Sequence, residues 1–136
     1  QLIREIRDRL DGWLFEAREE AYRELFEGPD AVLTEDELLI LDRLDSRLSR
    51  AEGRGLWGVD EYAIIPTGSM DEESAPRVVC TNHPQVPEDL PRAEAQPGLR
   101  TKLNETLWEY CQRVVEIAQQ RLEEFVWSSH VETWED

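Results

Sequence analysis

The sequence predicts a mainly α protein, a three-helix bundle with a small two-stranded β-hairpin in its central loop region. Three observations lead there. Apolar residues recur at three- and four-residue steps over 2–27, 34–52 and 99–127. That periodicity disappears over 54–98, where proline and glycine concentrate. Inside 54–98, the runs EYAIIP (61–66) and RVVCT (77–81) read as short strands around a polar hairpin loop, Thr67 to Pro76. A length of 136 residues suits a single domain and needs no metal or disulfide staple.

The first helix is expected to bury Ile3, Ile6, Leu10, Trp13, Ala17, Ala21 and Leu25, with Leu14, Tyr22 and Phe26 widening the stripe. Gly28 is expected to stop it as a left-handed cap, and Pro29 to prevent its continuation. Gly12, inside the helix, suggests close packing of another backbone. The second helix has the clearest start signal. Thr34 can cap it, Glu37 three residues on completes a capping box, and Leu33 with Leu38 fits a hydrophobic staple. Leu38, Leu41, Leu44 and Leu48 form its buried stripe, and Gly53 closes it. After the strands, Pro84, Pro87, Pro91 and Pro97 force an extended path that wraps over the helices or stays mobile. The third helix is the longest. Leu99, Leu103, Leu107, Tyr110, Val114, Ile117, Ala118, Leu122 and Phe125 make its stripe, and the tail's spacing allows it to run on.

Charge sets the function classes. Asp and Glu number 31 against 15 Lys and Arg, a formal net charge of −16. The excess is spread along the chain, with no acidic tail. No apolar run approaches the ~20 residues that span a bilayer. No basic stripe grips phosphates, so nucleic acid is not an expected partner, and a nucleic-acid-associated regulator is the third-ranked reading. The chain shows no signal-peptide pattern, and a cytoplasmic location is expected.

Lys102 is the one lysine; the other basic residues are arginines. Acidic excess with almost no lysine resembles the cytoplasmic proteins of haloarchaea. The stretches EGPDAVLTEDELLILDRLD and LNETLWEYCQRVVEIAQQRLEEF are similar to small uncharacterised proteins of that group. The resemblance implies a halophilic, archaeal setting and transfers no catalytic residue. In molar salt the Debye length falls to about 3 Å, so long-range repulsion of acidic partners largely vanishes.

Few motifs carry chemistry. GRGLWG matches GxGxxG through Gly53, Gly55 and Gly58, but a helix precedes it and a strand follows, the reverse of a dinucleotide site. Cys80 and His83 form C-x-x-H, the weak candidate for a metal site or a thiol–base pair. Cys111 and His130 complete the inventory of such ligands, and they lie 19 residues apart on the last helix. No metal, catalytic residue or other cofactor is therefore expected, and the competing reading is a small metal-binding or thiol enzyme centred on Cys80 and His83. Glu16, Glu20, Glu24 and Glu27 read as a solvated face without the E-x-x-H of di-iron bundles. Glu5–Arg9, Glu19–Arg23 and Glu109–Arg113 are spaced as i,i+4 ion pairs. IRDRLDGWL and ILDRLDSRL look alike because both helices bury the same kind of face.

Five tryptophans are generous for so small a core. Trp108, Val115 and Trp127 flank the last helix's stripe and Trp134 lies beyond it. These four are the expected interface of a homodimer, which makes a non-catalytic interaction or assembly module the leading reading.

Overall fold

A computed structural model describes residues 2–53, 55–57, 60–66, 75–86 and 98–135; the side chains of Leu2, Glu52 and 129–135 lie outside that description. The elements are α1 (Leu2–Tyr22), a π-helical turn (Arg23–Glu27), α2 (Glu35–Glu52), β1 (Glu61–Ile65), β2 (Arg77–Asn82) and α3 (Leu99–Glu135). The mainly α class with one antiparallel hairpin is as the sequence predicts. The Thr67–Ser74 part of the hairpin loop and the Pro87–Pro97 stretch fall outside the described residues.

Most of the expected stripe residues form the core, while Trp13, Leu25, Leu38, Leu48 and Phe125 are partly buried against it and Ile3 lies outside it. Ile6, Leu10, Leu14, Ala17 and Ala21 of α1 pack with Leu103, Leu107, Val114, Ala118 and Leu122 of α3, all buried. Helices α1 and α3 run antiparallel, as four cross-helix pairs show: Trp13–Phe125, Glu16–Arg121, Glu24–Arg113 and Phe26–Tyr110. Arg113 therefore serves Glu24 across the helices and Glu116 along α3 rather than the expected Glu109. Helix α2 starts on the capping box: Glu37 N–H donates to Thr34 Oγ1 and Thr34 N–H donates to Glu37 Oε1. Gly53 ends it with φ 76°, a left-handed conformation that costs glycine little.

Two glycine expectations need correction. Gly28 is extended (φ −84°, ψ 177°), not left-handed. The turn beyond it is closed by Val32 N–H donating to Leu25 O and Ala31 N–H to Gly28 O, so no left-handed cap is required. A Cβ at Gly12 would meet nothing within 4 Å beyond its own stretch of helix, so Gly12 marks no close approach.

The hairpin lies on one flank of α3. Its inward residues alternate as a half-buried ribbon demands: Tyr62 pairs with Cys80 and Ile64 with Val78. Gln119 fastens it by accepting from Val78 N–H and donating to Pro76 O. Beyond β2, the described part of the proline-rich segment does wrap over α3. Val86 N–H donates to Asn104 Oδ1 and Arg100 donates to Val86 O. Among the described residues, no helix is long and apolar enough to cross a membrane.

Candidate functional site

The two residues of C-x-x-H engage different partners. Cys80 Sγ donates to Asn82 O at 3.2 Å, and its half-buried thiol is pushed up by desolvation. His83 accepts from Gln85 Nε2 at 3.3 Å and packs edge-on against Trp108, with ring centroids 4.9 Å apart. Cys111 is fully buried, and burial pushes its thiol up to about 12. Both cysteines are free. A thiol with a raised pKa is a poor nucleophile, because the thiolate is the reactive form. Among the described residues, no three His, Cys, Asp or Glu side chains converge as metal ligands. The side chain of His130 lies outside them.

The four expected interface residues do not share one face. At 100° per residue, Val115 lies within about 20° of Trp108, whereas Trp127 and Trp134 lie about 80–100° further round. Trp108 is 47% exposed and leans on His83, and Val115 is half-buried on the same flank as Gln119, which holds the hairpin. Trp127 is 69% exposed and stands on the stripe of Glu109, Glu116 and Glu123, on the side turned from the core. Trp134 follows Trp127 at a seven-residue step on the same stripe, on the last turn of α3; its side chain lies outside the described residues.

Two features escape a reading of the sequence. One is a polar cluster under the hairpin. Arg18 Nε donates to Asp60 Oδ2 at 2.8 Å, and the Arg18 guanidinium also lies over the Tyr62 ring. The Tyr62 hydroxyl is buried beside the Cys111 thiol, and desolvation, with Cys111 adding to it, pushes it far above the ordinary phenol range. The placing of Asp60 just before an apolar strand was the available signal. The other is an open groove at the end of α1, lined by Tyr22, Trp57 and Tyr110 with Glu19, Arg23 and Glu27 on its rim. Trp57 is set there by Asp45, whose Oδ1 accepts from Leu56 N–H (2.7 Å) and Trp57 N–H (3.2 Å). Gly55 is needed for that approach, since a Cβ would run into the Asp45 carboxylate and Ser49 Oγ. Burial, with Asp42 and Glu27 adding negative field, pushes the Tyr22 hydroxyl up.

No curated protein and no solved structure matches the chain. A family of unknown function, DUF7539, matches it over residues 1–129, and the chain belongs to that family.

Proposed function

We propose that the chain is a non-catalytic interaction module that self-associates through the outer face of α3, in a cytoplasm of high salt. One observation carries the reading: Trp127 is 69% exposed on the acidic stripe facing away from the core, where the fold has no use for an indole. Re-burying it would contribute on the order of 4 kcal/mol by area, an upper figure. A two-fold contact counts it twice, as each copy presents the same surface. That reaches only the lower part of the roughly 4–15 kcal/mol that association costs, so a second anchor is required and the dimer is weak. Trp134, one heptad on, supplies that anchor. The flanking Glu116, Glu123 and Glu124 repel their copies, so association needs screening.

Sedimentation equilibrium in about 2 M KCl, where the Debye length is shorter than 3 Å, tests this. The expected result is a monomer–dimer equilibrium at tens to hundreds of micromolar that Trp127→Ala with Trp134→Ala weakens at unchanged helical content. A wild-type monomer throughout, or a double variant that dimerises like wild type, defeats it.

A further inference from the structure

The groove at the end of α1 has a volume of about 590 Å³, within the range of small-molecule sites. Its floor is aromatic. Trp57 stands edge-on to Tyr22 (5.9 Å, 72°) and to Tyr110 (5.3 Å, 75°). Its rim carries Glu19, Arg23 and Glu27. Charges at i, i+4 and i+8 on a helix lie one turn apart, within reach of ion pairing. Here neither pair closes. Arg23 Nε makes a long 3.4 Å contact to the Glu19 carbonyl oxygen, and no ion pair joins it to either carboxylate. The rim includes a π-helical turn, Arg23–Glu27. Such turns recur at functional sites. Arg18 also lines the groove, but its guanidinium is committed to Asp60.

The groove thus offers one guanidinium and two carboxylates, without an ion-pair partner among the described residues, around an apolar floor. We propose that it binds a small zwitterion with an apolar side group, the chemistry of a free α-amino acid. Arg23 takes the carboxylate, one of the carboxylates a turn away from it, Glu19 or Glu27, takes the ammonium, and the side group lies against Trp57 and Tyr110. Other ligand classes fit less of the lining. A metal ion is not chelated by carboxylates eight residues apart, about 12 Å along a helix. A simple anion meets two carboxylates, and a simple cation meets Arg23. This site is on α1, away from the outer face of α3, and does not rest on the self-association reading.

The test uses the full chain in about 1 M KCl, with L-phenylalanine as probe and the Trp57 indole N–H resonance as readout, assigned by its loss in Trp57→Phe. Phenylalanine amide lacks the carboxylate and N-acetylphenylalanine lacks the ammonium. Phenylalanine is expected to shift the resonance saturably, and each analogue to bind at least about tenfold more weakly. Arg23→Gln should erase the preference for phenylalanine over its amide. Glu19→Gln with Glu27→Gln should erase the preference over the acetylated form. These are surface substitutions, and circular dichroism checks that the variants stay folded. The absence of a saturable shift up to about 50 mM, equal binding of the analogues, or unchanged selectivity in the variants overturns the proposal.

Discussion

Arg18 Nε lies 2.8 Å from Asp60 Oδ2, and the Asp60 side chain is only 4% exposed. The pair links the middle of α1 to the entry of β1, so it holds the hairpin where α1 and α3 meet. Removing one member of a fully buried pair costs about 3–5 kcal/mol; Arg18 is partly exposed, so about 1–3 kcal/mol is expected here. Asp60→Ala and Arg18→Ala should each destabilise the fold by that amount in urea titrations. The double variant should cost clearly less than the sum, because the second removal leaves no orphaned charge. Additive effects would show that the two groups do not depend on each other.

Asp45 and Gly55 fix the loop that carries Trp57. Asp45→Ala strips the acceptor from two backbone N–H groups and should cost about 1–2 kcal/mol. Gly55→Ala forces a methyl group against the Asp45 carboxylate and should disturb the same loop. In both variants, Trp57 leaves its edge-on place between Tyr22 and Tyr110, so the near-ultraviolet circular dichroism should fall while far-ultraviolet helicity persists. Unchanged aromatic signals would mean that the Tyr22–Phe26–Tyr110 cluster holds Trp57 without the loop.

The acid side of the stability profile has a defined sign. The Lys102 ammonium and the Thr34 backbone N–H hold the Glu37 carboxyl below its ordinary value, and the Arg113 guanidinium does the same for Glu24. A carboxyl with a depressed folded-state pKa contributes stability that is complete above its unfolded value of 4.5. That contribution is lost as pH falls through the lower folded value. Glu37→Gln should therefore lower the thermal midpoint near neutrality and converge on wild type in strong acid. Asp42 works in the opposite sense, since desolvation and then Asp45 raise its pKa, so Asp42→Asn should stabilise near neutrality. Parallel profiles for wild type and Glu37→Gln would remove Glu37 as a source of the acid dependence.

Thiol chemistry gives a kinetic check on the buried face of the hairpin. Desolvation raises both thiols, and Cys111 of α3 is fully buried beside Tyr62 and Cys80 of the hairpin. At pH 8, a thiol-reactive dye should label Cys80 slowly and Cys111 only at the rate of unfolding. Both should titrate after denaturation. Rapid native labelling of Cys111 would show that the hairpin opens readily from α3.

The parts legible in the sequence are those with local causes. Thr34 and Glu37 are three residues apart and cap each other whatever the tertiary setting. The stripes of α1 and α3 follow from apolar spacing alone. Tertiary causes were not legible. The π-helical turn sits where Tyr22 and Phe26 both meet Trp57, a contact between residues more than thirty positions apart. The flank of α3 bearing Trp108 and Val115 looked free because no local pattern reveals that His83 and the hairpin come to it. Spacing pairs Arg113 with Glu109, while antiparallel packing brings Glu24 within 2.6 Å.

The stability of the fold should depend on salt. A net charge of −16 on 136 residues repels itself in the compact state, and the cross-helix pairs Arg113–Glu24 and Arg121–Glu16 oppose that repulsion. Added salt weakens both. The pairs are solvent-exposed, and such pairs contribute about 0–1 kcal/mol each, so their loss is small. The repulsion involves every carboxylate in excess and acts over the Debye length, about 10 Å at 0.1 M and 3 Å at 1 M. Relief of repulsion therefore wins, and the thermal midpoint should rise steeply from dilute buffer to about 0.5 M KCl, then level off once the Debye length is shorter than typical charge spacings. Replacing Glu109, Glu116 and Glu123 with glutamine should reduce the rise, because this stripe lies on the outer face of α3 and, among the described residues, makes no cross-helix ion pair, Glu116 pairing with Arg113 along α3. Differential scanning calorimetry across the salt series decides it. A midpoint that stays flat or falls with salt would show that the ion pairs outweigh the repulsion, and that the acidic surface is not what makes the fold depend on salt.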